Sequence, residues 1–477
     1  MEKIKFGTDG WRGIISNDFT FDNVRRVAAA IADYFNQPTN KPTNQQTKIA
    51  VGYDTRFLSD VYARIVSEVL ASKGITVILS DRAIPTPALS FAVKHKHLTA
   101  GVMITASHNP ASYNGIKIKI SSGGAAPPEV TREVEKRIPR SRIPYPISCI
   151  PDSIIKANLT RDYIKFLRSY INLSLLKKAR FCVLVDVMYG SGSGFIADVL
   201  SGTKIRLDFI RNQINPSFGG LRPEPVLENL KPTIAELKNR QYDLGLVLDG
   251  DADRIAAFSG RGEFIHPQKI LGLLILHLVR NRGMSGGVVK TIAGTTLIDK
   301  IILGLGLKLY ETPVGFKYIS ELMEKEDILV GGEEAGGIGF KGYIPERDGS
   351  LAGLLLLEAM AYQNKPMLKI LNEMEQEFGR YYYLREDIHL SGLKSGASGI
   401  ISSKIKKFKA QKELLGRDVI QIKDFDGVKL ICEDESWLML RSSGTEPLVR
   451  VYAEARGLVR AKQLLNFGKE VFSRDVI

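Results

Sequence analysis

The residue types that could do chemistry fall into four short stretches, far apart along the chain. The first is Gly101–Pro110, GVMITASHNP. Apolar Val102, Met103 and Ile104 read as the end of a buried strand, and the chain then turns to a proline through small and turn-forming residues. That places one hydroxyl, Ser107, at the tip of a loop beside the imidazole of His108 and the amide of Asn109, as a nucleophile or a phosphate carrier would need. A plain strand-to-turn exit has the same residues. The second is Asp249–Arg254, DGDADR, after the apolar run Leu244–Leu248. Asp249, Asp251 and Asp253 alternate, so an extended backbone would send all three carboxylates the same way. Three clustered carboxylates repel without a cation, and hard oxygen ligands suit Mg²⁺ or Ca²⁺. An EF-hand is excluded by count, because its sixth position would be Arg254 and its twelfth is Gly260.

Two alternatives stay open for this acidic stretch. It also suits a solvated turn, or an aspartyl-phosphate phosphatase in which Asp249 itself is the nucleophile. The third stretch is Gly331–Gly337, GGEEAGG, whose glycines permit close approach of a ligand while Glu333 accepts hydrogen bonds from sugar hydroxyls. The fourth is Arg441–Pro447, RSSGTEP, with Arg450 beyond it. An arginine fork, hydroxyls and glycine-freed N–H groups make a cradle for a phosphate dianion. It is not a Walker loop, since no GxxxxGK[ST] occurs. Each of the last two also suits an exposed polar turn. Near the start, KFGTDGWRG offers Arg12 from a glycine-rich loop, and YNGIKIKI (Tyr113–Ile120) presents Lys117 and Lys119 on one face of a short strand.

The elements that must position these stretches alternate between helix and strand. A helix is expected over Phe21–Phe35, strands over Lys48–Tyr53 and Ile75–Leu79, and a helix over Val61–Lys73. Asn36–Thr47 is a polar insertion, Ser121–Pro128 a loop, and Pro139–Pro151 a linker. A second unit follows with a helix over Leu159–Tyr170, a strand over Phe181–Asp186 and a glycine-serine loop at Gly190–Gly194. A third has strands near Gly287–Lys290 and Ile328–Val330. From about Phe378 a tyrosine-rich strand, a Gly/Ser loop at Ser391–Ser403, a strand-loop-strand around Arg441 and a terminal helix read as a smaller α+β domain. The expected boundaries are 1–150, 151–256, 257–377 and 378–477. Ligands of such α/β units bind past the carboxyl ends of the strands.

Composition bounds the function. At 477 residues several domains are expected. Cys149, Cys182 and Cys432 are widely spaced without CxxC, which argues against disulfides and a zinc site and suits the cytoplasm. The start lacks a signal-peptide core, and the greasy runs Ile270–Val279 and Leu351–Ala361 are too short to span a bilayer, so no membrane partner is expected. The net charge of +14 is scattered, with no zinc finger, RNP motif or basic helix. It reads as attraction for phosphate esters; a basic nucleic-acid-binding protein is the rival, and no nucleic-acid partner is expected.

With TASHNP, DGDADR, GEEAGG and RSSGTEP in this order over essentially the whole chain, the sequence resembles the α-D-phosphohexomutases, the phosphoglucomutases, phosphomannomutases and phosphoglucosamine mutases. The resemblance implies three similar mixed-sheet α/β domains plus a smaller C-terminal α+β domain around a central cleft. It implies that Ser107 is the phosphoserine and that Asp249, Asp251 and Asp253, with its phosphate, hold Mg²⁺. Glu333 would read sugar hydroxyls, while Arg441, Ser443, Gly444 and Thr445 would grip the non-reacting phosphate. Charge neutralisation would come from Mg²⁺, Arg254 and Lys117. Proton transfer would fall to His108, Lys117 or Lys317. In TPVGFKYIS the lysine stands second after the glycine, as in glucomutase-type members, and Phe316 stands where mannomutase-type members tend to have histidine. GEEAGG is nearer the glucomutase form GEES than the glucosamine form GEQS, but Ala335 occupies the usual serine position. One hydroxyl contact is then lost or passes to a water. The implied activity is a phosphoglucomutase working through glucose 1,6-bisphosphate, able to take mannose phosphates, as a monomer or homodimer; a hexose 1,6-bisphosphate synthase is the variant within the family.

Overall fold

The computed structural model describes residues 4–37, 46–143, 153–389, 397–442 and 448–473. Cys149 and parts of the polar insertion, the linker and the Gly/Ser loop lie outside them. Two compact units emerge, one of residues 1–286 with 315–371 and one of residues 287–314 with 372–477.

The first unit opens with a six-stranded sheet of β1 (Trp11–Ile14), β2 (Lys48–Tyr53), β3 (Thr76–Ser80), β4 (Ala100–Ile104), β5 (Tyr113–Ile120) and β6 (Ile154–Ala157), in the order β1-β5-β4-β2-β3-β6. β4, β2, β3 and β6 run parallel, β5 pairs antiparallel with β4, and β1 pairs antiparallel with β5. Every residue of β4 is buried, which is why its sequence is continuously apolar. The helix Phe21–Phe35 starts where Thr20 accepts a hydrogen bond from the Asn23 amide. Its Val24, Val27, Ala28 and Ile31 face pack on Val51, Val66 and Val102 in one core. Arg12 stands on β1 rather than in a loop: β1 pairs along β5, and a side chain on Gly13 would come within 2.8 Å of Asp18 Cβ. Past the expected linker the chain returns to the first sheet as β6, so that linker does not separate two sheets.

The second sheet holds β7 (Cys182–Asp186), β8 (Arg206–Ile210), β9 (Leu244–Leu248), β10 (Ile255–Ser259) and β11 (Phe264–Ile265), in the order β11-β10-β9-β7-β8. It runs past the boundary expected at 256, because DGDADR is the turn of the antiparallel pair β9–β10. The third α/β region supplies a parallel pair, β12 (Gly287–Thr291) with β13 (Leu309–Thr312), and an antiparallel hairpin, β14 (Ile328–Gly332) with β15 (Ile338–Phe340). The greasy runs are helices, Pro267–Leu276 and Gly349–Gln363. Among the described residues no helix is long and apolar enough to cross a membrane.

The last sheet is antiparallel throughout: β16 (Tyr382–His389), β17 (Val419–Lys423), β18 (Val428–Cys432), β19 (Trp437–Ser442) and β20 (Leu448–Ala455), ordered β16-β20-β19-β18-β17. Helices Ala397–Lys409 and Leu458–Ser473 cover it, with Phe408, Leu464 and Phe472 packed on Leu430, Leu438 and Val451. The expected Gly/Ser loop is thus helical from Ala397 onward. Ile405 and Phe408, at helical spacing, pack this helix on the sheet.

Lys429 on β18 is buried; its ammonium donates to the carbonyl oxygens of Ile292 (2.9 Å) and Gly294 (3.2 Å) and lies 3.7 Å over the Trp437 ring. Burial, joined by the charge of Lys290, brings its pKa down to about 7. Unfolded, a lysine keeps its proton to about pH 10.4. Between those values the unfolded chain binds the extra proton, so stability rises with pH there. The unfolding free energy of the parent is expected to climb relative to Lys429→Met between about pH 7 and about pH 10. Parallel curves for the two proteins over that window would contradict it.

Candidate active site

The serine turn is built by a buried ion pair. Asp54, at the end of β2, accepts from Thr105 Oγ1 (2.6 Å) and meets Arg56 Nε (3.2 Å). Arg56 then donates to the carbonyl oxygens of Ser107 and Asn109 (2.6 Å each), Pro110 (2.8 Å) and Tyr113 (3.0 Å). Ser107 sits at φ +51°, a left-handed conformation that costs a non-glycine residue about 1 kcal/mol or more and persists only where the surroundings impose it. The turn is buried rather than offered to solvent: Ser107 has no exposed surface. Its Oγ lies 3.0 Å from Asp249 Oδ2 and 3.3 Å from His108 Nδ1. Arg12 Nη1 reaches the neighbouring Asn109 Oδ1 at 2.5 Å.

The three aspartates converge, with one oxygen from each inside a 4.8 Å span and none exposed. They do not do so from an extended strand. Asp249–Asp253 is a tight turn with Ala252 at φ +57°, pinned through backbone bonds from Thr86 to Asp251 O, Ser191 to Gly250 O and Gly349 to Ala252 O. Their oxygens divide in two. Asp251 Oδ2 is taken by Thr86 Oγ1 (2.5 Å) and Lys117 Nζ (2.8 Å), and Asp253 Oδ2 by Lys117 Nζ (2.9 Å) and Arg347 Nη2 (2.6 Å). Asp251 Oδ1 and Asp253 Oδ1 are buried with no hydrogen-bond partner. Two unsatisfied carboxylate oxygens beside Asp249 fit a hard divalent cation, so the residues suit Mg²⁺.

Electrostatics differ within the trio. Burial, then Asp253 and Asp251, push the Asp249 carboxyl well up. Asp251 feels the same burial, but the charge and hydrogen bond of Lys117, with the Thr86 hydroxyl and the Arg347 charge, together outweigh it and hold the group low. Lys117 itself is buried; Asp251, Asp253 and Asp9 (2.9 Å) overcome the desolvation and raise its pKa, so it is held as a cation and suits neutralising charge rather than taking a proton. Lys317 is the opposite case: burial is the leading cause and lowers it. It lines a small cavity with Asp9, Gly10 and Ile118.

Glu333–Gly337 is the turn of the β14–β15 hairpin. Gly336, at φ +95°, lets its carbonyl accept from the Ile255 amide (3.0 Å), just past DGDADR; a Cβ there would sit 2.3 Å from Ile255 O. Arg254 bridges Gly337 in the same way, and its amide donates to Asp249 Oδ1 (3.1 Å). Glu333 is buried, which raises its pKa, and its Oε2 accepts from Arg347 Nη1 at 2.9 Å. Ala335 occupies the half-buried middle of the turn. The structure therefore brings Ser107, His108, Arg12, Lys117, the aspartates, Arg254, Lys317 and Glu333 into one unit. In the other unit Arg441 and Arg450 face each other across β19 and β20. Ser443, Gly444 and Thr445 lie outside the described residues.

Sequence reasoning missed Asp9, Arg56, Thr86 and Arg347. Arg347 had a signal: Glu346–Arg347–Asp348 stands directly before the apolar run of helix Gly349–Gln363, where unpaired charges would be costly.

Three α/β domains with mixed sheets and a C-terminal antiparallel domain, with a serine turn against an acidic metal-type turn, define the class as that of the α-D-phosphohexomutases. The phosphoglucomutase/phosphomannomutase models match this sequence at domain I over 3–142, domain II over 161–262, domain III over 266–378 and the C-terminal domain over 402–467. A phosphoglucosamine/phosphogalactosamine mutase of Sulfurisphaera tokodaii is 30% identical, with 98% of each chain covered. A phosphoglucomutase/phosphomannomutase of Thermococcus kodakarensis is 29% identical over 97% of each. A structure from Thermus thermophilus, solved as a candidate phosphomannomutase, superposes with TM-score 0.85 at 33% identity, covering 98% of this chain and 99% of that one. The chain belongs to the phosphoglucomutase/phosphomannomutase family of hexose-phosphate mutases, which are isomerases.

The metal-type turn is seated against the serine turn through Gly250, where a Cβ would lie 2.5 Å from Ser107 O and 3.1 Å from Pro223 Cγ. Gly250→Ala is expected to force the two turns apart, destabilising the unit by about 1–3 kcal/mol and lowering turnover by more than that loss of folded protein explains. Thermal unfolding and turnover per folded molecule check it; parental values in both would refute the close seating.

Proposed function

We propose that the protein is a Mg²⁺-dependent phosphoglucomutase that interconverts glucose 1-phosphate and glucose 6-phosphate and also accepts mannose phosphates. One observation carries the reading: Ser107 Oγ stands 3.0 Å from Asp249 in a turn where two further aspartate oxygens wait without partners. Asp249 accepts hydrogen bonds from the Arg254 amide and from Ser107 Oγ, so it holds the serine hydroxyl beside the acidic turn, as a serine phosphoryl carrier needs.

In this reading the phosphoryl group on Ser107 passes to the free sugar hydroxyl. The P–Oγ bond breaks, a bond from phosphorus to the sugar oxygen forms, and the hydroxyl proton leaves to a base. Lys317 fits the base, since burial favours its neutral amine. His108, at 3.3 Å from Ser107 Oγ, is placed to hydrogen-bond the serine side. The glucose 1,6-bisphosphate so made turns end for end and returns its other phosphate to Ser107. Asp249, Asp251 and Asp253 would hold Mg²⁺, which when bound supplies charge neutralisation for the transfer. Lys117, Arg254 and Arg12 add positive charge, and Glu333 reads the hydroxyls. The non-reacting phosphate we assign to Arg441 and Arg450 with Ser443, Gly444 and Thr445. A second reading, an amino-sugar phosphate as substrate, is favoured by the name of the 30% identical relative.

Turnover of glucose 1-phosphate, mannose 1-phosphate and glucosamine 1-phosphate, each with and without glucose 1,6-bisphosphate, ranks these substrates; fastest turnover of the amino sugar would replace glucose in the reading. Ser107→Ala is expected to cut mutase activity at least ~10³-fold while the protein still folds, and to abolish an acid-stable, hydroxylamine-resistant phosphate seen by intact mass. Undiminished turnover would refute the serine mechanism. Lys317→Met is expected to lower kcat by about 10²–10⁴-fold and to remove an acid limb of the pH–rate profile lying below the ordinary lysine range. A profile unchanged in shape would assign the proton transfer elsewhere.

A further inference from the structure

Arg347 contacts all three carboxylate-bearing turns of the site. It follows β15, and its side chain is only 3% exposed. Nη1 donates to Glu333 Oε2 (2.9 Å); Nη2 donates to Asp253 Oδ2 (2.6 Å) and Asp9 Oδ2 (2.5 Å). One guanidinium thus ties the hydroxyl-reading turn, the metal-type turn and the N-terminal turn. The contacts are selective by atom. With Oδ2 of Asp253 taken by Arg347 and Lys117, the oxygen left over is the unpartnered Oδ1. The sequence makes room for this side chain: a Cβ at Gly337 would lie 2.1 Å from Arg347 Cδ. The last glycine of GEEAGG therefore serves the arginine stem.

We infer that Arg347 is a positioning residue that holds the metal-facing oxygen of Asp253 and the hydroxyl-reading carboxylate of Glu333 in one frame, so that metal and sugar affinity depend on the same side chain. The inference rests on the reading of these two groups given above. A lysine at 347 keeps the positive charge but has one ammonium on a flexible stem, which cannot reproduce the fork across two carboxylates. Arg347→Lys therefore separates charge from orientation.

The test measures Mn²⁺ binding by electron paramagnetic resonance and binding of glucose 1-phosphate and glucosamine 1-phosphate by calorimetry, in the parent and in Arg347→Lys. The expected result is a rise of about tenfold in the dissociation constant of Mn²⁺, together with a comparable rise for the sugar phosphate the parent binds. Parental values for both in the variant would show that Arg347 supplies charge alone and would overturn the inference. A change in only one constant would overturn the shared frame. A parent that binds neither Mn²⁺ nor sugar phosphate overturns the site reading itself, and the inference with it. Should Arg347→Lys not fold, Asp9→Asn, which weakens the third anchor of the same guanidinium, is expected to give a smaller paired rise; a change in one constant or in neither overturns the inference.

Discussion

The site depends on the neutralisation of buried carboxylates. Asp249, Asp251 and Asp253 have no exposed surface, and an ionised carboxylate deprived of water is costly unless charge and hydrogen bonds replace it. Lys117 and Arg347 replace it for two of the three. The outcome is visible within one turn, where Asp251 is held low and Asp249 is driven up although both are equally buried. The difference is a cation in contact. Asp249 instead takes hydrogen bonds from Ser107 and from the Arg254 amide, so the least compensated carboxylate is the one next to the serine hydroxyl.

Backbone geometry makes that meeting possible. The four carbonyl oxygens gathered by Arg56 fix a strained serine turn, and Asp54 keeps Arg56 in place. The facing turn needs a glycine at 250 to approach, and the hairpin turn needs glycines at 336 and 337, one for the Ile255 carbonyl and one for the Arg347 stem. Glycines that read as freedom for a ligand are in large part spaces for protein atoms.

This explains what the sequence disclosed. Strands such as Lys48–Tyr53 and Leu244–Leu248 were legible because burial on both faces writes nearly continuous apolar runs, and Tyr113–Ile120 was legible by its alternation, with Lys117 and Lys119 on one face. The motif residues were legible by type. Their geometry was not: alternation suggested an extended DGDADR, whereas a turn with a left-handed Ala252 brings the carboxylates together. Nor do Asp9 and Arg56 carry a local pattern, and the charged run around Arg347 does not name its partners, because each acts on residues distant in sequence; Arg347 and Asp9 are 338 positions apart. Sheet membership failed for the same reason, since β6 rejoins its sheet by a long-range pairing that no window of sequence contains.

The second unit shows the same logic with the sign reversed. Arg441 and Arg450 stand directly opposite on adjacent antiparallel strands, an arrangement that disfavours folding when like charges face each other. Asp426 meets Arg441 Nε at 2.9 Å, and Asp387 meets Arg450 Nε at 3.5 Å, so each guanidinium has a carboxylate beside it. Arg385 shares Asp387, leaving that carboxylate divided between two cations. A dianion would relieve this crowding of positive charge much as a divalent cation would satisfy the two bare aspartate oxygens. In both places folding tolerates like charges at close range because opposite charges are built in beside them: Lys117 and Arg347 at the aspartates, Asp426 and Asp387 at the arginines.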